Sequence, residues 1–225
     1  MFNWVRKIDW DYFHKSNKIL WLLGAYLTWK HVDKYQVFPA IHYNGFIKLN
    51  IYKAKSARLI LKGPIKLEQW LNKKSISTIT LNQLAVLQCD NEFTIGNNVS
   101  IFLSNGAYLY LGGKKNESGS GITADSTVMV QKKIRIESDC MVAWDTFITD
   151  SDWHNYSKHG SQGDTVIGEH TWLGIGVKIL KGVYIENNSI VTTNSVVNSG
   201  RYPEKSLLSG IPAKIVKKDI STWKR

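Results

Sequence analysis

The sequence predicts an all-β fold, a triangular prism wound from six-residue repeats, on three observations. Aliphatic residues stand six apart at Ile167, Leu173, Ile179, Ile185, Val191 and Val197, again at Ile136, Val142 and Ile148, and at Ile95 and Ile101. Four residues after most of them come small or β-branched side chains: Val99, Cys140, Thr146, Thr171, Val177, Val183, Ser189 and Ser195. Three residues after them stand Asn98, Asp139, Asp145, His170, Gly176, Gly182, Asn188, Asn194 and Gly200. Asn, Asp, Gly and His make up 50 of the 225 residues, yet they fill nine of ten such positions, with the Ile101 hexad set aside and Ser151 departing. A period of six belongs to neither a helix nor a plain strand. Short flat strands joined by sharp corners give it, and these four residue types best tolerate the left-handed backbone of a corner. Three hexads close one coil, and coils stacked at ~4.8 Å bury the aliphatic column.

Along the chain, residues 18–29 are apolar but fall short of the ~20 that a spanning helix needs. A short helix is expected there, packed on the main body or a neighbouring subunit, or resting on a membrane surface with its Trp and Lys residues at the flanks. Residues 37–89 alternate without clean hexads and read as imperfect coils. Residues 1–90 are therefore set apart as an N-terminal helical segment with imperfect coils, and 91–205 as the regular prism. Ile148 and Ile167 lie 19 apart, one more than three hexads, so a loop over 153–166 should leave the prism. Gly112 to Gly121 reads as a second, glycine-rich excursion. Residues 206–225 form a tail in which Pro212 is expected to open a short C-terminal helix.

With 29 Lys and Arg against 18 Asp and Glu, the formal charge is +11, which favours anionic partners without choosing among them. Scattered basic residues and the absence of a known motif argue against nucleic acid. Two distant cysteines, Cys89 and Cys140, make neither a disulfide framework nor a metal knuckle, so a reduced, cytoplasmic setting is expected, with peripheral attachment at the inner membrane face through the N-terminal segment as an option.

The stretch VIGEHTWLGIGVKILKGVYIENNSIVTTNSVV, preceded by DSDWH and followed by SGIPAKIVKK, resembles the hexapeptide-repeat acyltransferases over roughly residues 93–218. It is similar to bacterial enzymes that O-acetylate capsular polysaccharides and to the maltose and galactoside acetyltransferases. The resemblance implies a left-handed parallel β-helix, a homotrimer, acetyl-CoA as donor, a carbohydrate acceptor and no metal. It also implies that His154 is the general base, since a thioester is already activated and lacks only removal of the acceptor's proton. Asp150 or Asp152 could orient the imidazole. A backbone N–H at Gly174 or Gly176 could hold the oxyanion or the thioester end of the donor. Trp172 is expected to wall the groove, with Lys181 on the same face. Ile211, Pro212, Lys214 and Lys217 resemble the element that contacts CoA adenine and phosphates.

Three other readings stand beside this one. A zinc site would use His154 and His159, five apart, but no histidine lies between His42 and His154 to complete it. A non-catalytic glycan-binding prism would use the basic charge. Within acyl transfer, the acceptor is either a sugar hydroxyl of a surface polysaccharide or its precursor, or a small free sugar, amino sugar or antibiotic.

Overall fold

The computed structural model describes residues 7–70, 75–116, 119–154, 160–221 and 223–224. From Ile41 to Gly210 the described strands pass in rotation through three sheets, each strand pairing in parallel with the one a full coil away; with Lys34–Tyr35 and Ala213–Lys217 added, the sheets have nine, seven and eight strands. The result is a left-handed parallel β-helix with three flat faces. One inward column on the nine-stranded face runs Tyr43, Leu67, Ile95, Ile122, Val142, Leu173, Val191, Leu208, each residue in register with the next. Ile51, Ile79, Ile101, Val128, Ile148, Ile179 and Val197 form the matching column of the seven-stranded face. Burial of these columns removes apolar area from water in every coil, the dominant favourable term in such a fold.

Eight of the nine corner residues have φ between 54° and 70°: Asn98, Asp139, Asp145, His170, Gly176, Gly182, Asn188 and Asn194. Gly200, at φ 157°, does not turn this way. Gly176 shows why its position admits no side chain, because a Cβ would collide with Asn194 Oδ1 of the next coil.

The ladders run across residue 91 without a break. Coils upstream of it stack in the same ladders as those downstream. They were hidden because the inward residues Ile51 and Leu61 stand ten apart, so added residues break the period while the register survives. The glycine-rich excursion is tied to the prism where it is described, since Lys115 and Asn116 backbone N–H groups donate to the buried carboxylate of Asp139.

Among the described residues, two helices precede the prism. In α1, Trp10–Lys15, Asp9 caps the N-terminus by accepting from the Tyr12 N–H. In α2, Lys18–His31, Asn17 does the same for Ile19. Helix α2 lies on the strand Ile41–Asn44 with Leu20, Gly24, Leu27 and Thr28 buried. Thr28 Oγ1 accepts from the N–H groups of Ala40 and Ile41 at 3.0 and 3.2 Å. A Cβ at Gly24 would strike the Ile41 carbonyl oxygen, so glycine sets how closely the helix approaches. No described helix is long and apolar enough to cross a membrane.

The expected C-terminal helix is absent. Leu207–Gly210 continues the nine-stranded face, and Ala213–Lys217 folds back antiparallel along it. The reason is visible in the pairing: Leu208 extends the column through Val191, which requires extended backbone, and Ile211 and Pro212 form the turn.

Candidate functional site

The excursion bearing His154 leaves at the edge between the seven- and eight-stranded faces, after the strand Phe147–Thr149 and before Thr165–Ile167. Its neck is a short antiparallel rung. Asp152 N–H donates to Ser161 O at 2.8 Å, Gly163 N–H donates to Asp150 O at 2.9 Å, and Ser151 bridges Gln162. Trp153, at φ 64°, turns the chain out of the neck. Its Nε1–H donates to Thr149 Oγ1 at 3.1 Å, and its ring lies 5.8 Å from that of Phe102 on the seven-stranded face. His154 follows, exposed, with no hydrogen bond to its ring from the described residues. An imidazole held on an anchored backbone yet open to solvent can accept a proton from a hydroxyl brought against it. Residues 155–159 of the expected loop, His159 among them, lie outside the described residues.

The two aspartates proposed to orient His154 have different environments. Asp150 is buried, and its carboxylate accepts from the backbone N–H groups of Gln131, Lys132 and Lys133 at 2.7, 2.8 and 2.5 Å. Both oxygens thus accept from the preceding coil, and these bonds hold the neck at its root. Asp152 is exposed and forms an ion pair with Lys181 Nζ, which also donates to Gly160 O at 2.9 Å. Lys181, expected to meet the donor, therefore braces the two arms of the loop.

Trp172 and Gly174 lie elsewhere, on the nine-stranded face. They line a groove of about 310 Å³ together with Trp70, Met141, Trp144 and Ile175, and no atom of His154 reaches it. Trp172 Nε1–H is buried with no acceptor among the described residues. Gly174 is packed against the coil above, where a Cβ would meet Thr193 N at 2.8 Å. Stacking thus accounts for glycine at both 174 and 176. Ile211, Pro212, Lys214 and Lys217 are exposed on the terminal hairpin of the same nine-stranded sheet.

One contributor carried no signal in the sequence pattern. Trp223 stacks on His170 with ring centroids 4.3 Å apart and planes at 4°, and its Nε1–H donates to His170 O at 2.9 Å. The tail is thereby pinned beside Trp172, whose ring centroid is 6.1 Å from that of Trp223. Trp70 and Trp144 were likewise unmarked, since each sits outside the aliphatic register.

Neither cysteine is placed for nucleophilic work. Burial pushes the Cys140 thiol up to about 12, and Cys89 is raised further by the same cause. Among the described residues no group of three or more His, Cys, Asp or Glu side chains could hold a metal ion.

A stacked-coil prism with a histidine on a rooted loop and an aromatic groove is the frame of a hexapeptide acyltransferase. Residues 164–199 match the family described as "Bacterial transferase hexapeptide (six repeats)". A polysialic acid O-acetyltransferase of Neisseria meningitidis is 33% identical over 193 residues, covering 70% of this chain and 88% of that protein. The chain belongs to the hexapeptide-repeat acyltransferases. The Escherichia coli (strain K12) protein WbbJ, whose name assigns it to lipopolysaccharide biosynthesis as an O-acetyl transferase, is 35% identical over 112 residues, 42% of this chain. The chain spans about half the length of that relative, 56%. The solved polysialic acid O-acetyltransferase OatWY aligns over 87% of this chain and 89% of its own at 25% identity, with a TM-score of 0.48.

Proposed function

We propose that this protein transfers an acetyl group from acetyl-CoA to a sugar hydroxyl of a bacterial surface polysaccharide or its precursor, with His154 as general base. The observation that carries the reading is His154 itself, exposed and with no hydrogen bond to its ring from the described residues, at the end of a hydrogen-bonded neck, in a chain of this family. When bound, the donor would supply an activated acyl thioester. The groove's indole and thioether walls suit the methylene stretches of a pantetheine arm, and Lys214 and Lys217 suit phosphates. One ring nitrogen of His154 would take the proton from the acceptor hydroxyl as it attacks the thioester carbonyl, and give it to the CoA thiolate as the C–S bond breaks. Asp152 lies two residues before His154 and, with Lys181, holds the loop that carries it.

Because Trp172 lies on the nine-stranded face and His154 on the loop at the edge between the other two faces, a complete site would take its histidine from one subunit and its groove from a neighbour. A trimer is the assembly that a three-faced prism supports most simply. The test is turnover of acetyl-CoA against a panel of acidic and neutral glycans. His154→Ala should reduce it by ~10²–10⁴ while the folded signal persists. Unchanged turnover in that variant would remove His154 from the chemistry.

A second reading is acetylation of a small molecule, favoured by 44% identity over 63 residues to a Lysinibacillus sphaericus protein named as a macrolide acetyltransferase. That match covers 28% of this chain. Activity on macrolides with none on any glycan would decide for it.

A further inference from the structure

Helix α2 buries one stripe against the first coil and leaves a second one bare. The outward stripe is Ile19, Leu22, Leu23, Tyr26 and Trp29, exposed to 72, 61, 40, 47 and 76%. Their spacing places them on one face. A surface helix of a water-soluble body carries polar residues there, and a contiguous apolar patch marks a surface that something covers. Phe46, 75% exposed in the turn after the strand on which the helix lies, adds to the apolar surface at this end of the prism.

Charge decides what the cover is. Residues 12–32 contain no Asp or Glu, while Lys15, Lys18 and Lys30 stand among them. The acids that flank this segment are engaged: Asp11 pairs with Lys15, and Asp33 with Lys53 and Arg58. Lys18 lies 3.9 Å from the Phe13 ring centroid, and Lys30 lies 5.3 Å from that of Tyr26, so the cations sit at the two ends of the stripe beside aromatic rings. A second copy docking by the same face would bring lysines against lysines with no acid to meet them. An anionic lipid surface meets both features, taking the aromatic and aliphatic side chains into its headgroup boundary and the ammonium groups onto its phosphates. At 14 residues, or ~21 Å, the helix is too short to cross and long enough to lie flat.

We infer that the outer face of α2 docks this protein onto an anionic membrane surface, with Ile19, Leu22, Tyr26 and Trp29 inserted and Lys18 and Lys30 on lipid phosphates. The inference stands apart from acetyl transfer and is tested without turnover. The full chain is sedimented with vesicles of phosphatidylcholine alone and of phosphatidylcholine with phosphatidylglycerol in equal parts. It should partition onto the anionic vesicles and leave them as salt rises. The double variant Leu22→Ser, Trp29→Ser should lose ~10-fold or more of that partitioning, because the substituted side chains supply much of the buried area. Lys18→Gln with Lys30→Gln should weaken binding to anionic vesicles alone. Circular dichroism of each variant should match the parent, since the changed side chains are exposed. Absence of partitioning, equal partitioning onto neutral vesicles, or equal partitioning of the serine variant would overturn the inference. So would a lowered oligomeric state in the serine variant without vesicle binding by the parent, which would make the patch an interface between copies.

Discussion

Asp150 stands four residues before His154, and its surroundings fix what replacing it would do. Three backbone N–H groups point at a buried carboxylate. Asp150→Ala strands all three, at a cost of ~3 kcal/mol, or a fall in Tm of roughly 6–12 °C for a chain of this size. Thermal unfolding of this variant beside His154→Ala should separate the two roles: the first loses stability, the second loses turnover and keeps its Tm. If Asp150→Ala unfolds at the parent's temperature, the carboxylate is not the anchor that its contacts describe. The residue types at the site were legible in sequence, but which aspartate did what was not. Both lie near the histidine along the chain, and only burial and the direction of the preceding coil's N–H groups distinguish them.

The loop neck and the corners are the elements that set where the chemistry can occur. Corner residues were legible because a left-handed φ selects so few residue types, and eight of nine turned as expected. The early coils were not, because extra residues at their corners break the period without disturbing the ladders. Extended pairing along Leu208 overrode the helix signal of Pro212, since a proline at a turn between strands looks locally like one at a helix start. Lys181 belongs to this scale as well. Its ammonium spans Asp152 and the Gly160 carbonyl, so Lys181→Met should loosen the loop and lower kcat for acyl transfer several-fold while leaving donor affinity unchanged. Calorimetric titration with CoA checks the second half, and a large loss of CoA affinity would return Lys181 to the donor site.

For the whole molecule, the proposed site joins the His154 loop of one subunit to the Trp172 groove of another, and on that proposal activity is a property of the assembly. Mixing His154→Ala with Trp172→Ala protein under conditions of subunit exchange should restore part of the activity, since some interfaces then join a wild-type loop to a wild-type groove. Full specific activity in a monomer seen by analytical ultracentrifugation would end that expectation. The terminal hairpin has another effect. A stack of parallel strands has two open ends, and each offers unpaired N–H and C=O groups to any chain with matching spacing. Helix α2 lies across the strand Ile41–Asn44 at one end, and at the other Ala213–Lys217 runs against the grain of the nine-stranded face. A reversed strand presents the wrong hydrogen-bond pattern for another parallel coil and carries Lys214 and Lys217 on it. Deleting residues 211–225 should therefore yield particles that lengthen with concentration, followed by light scattering and electron microscopy, whereas an unaltered size distribution would show that the hairpin guards nothing. The tail proposed to hold a donor would then also be what keeps a self-templating column finite, a terminator without which each molecule is a seed for the next.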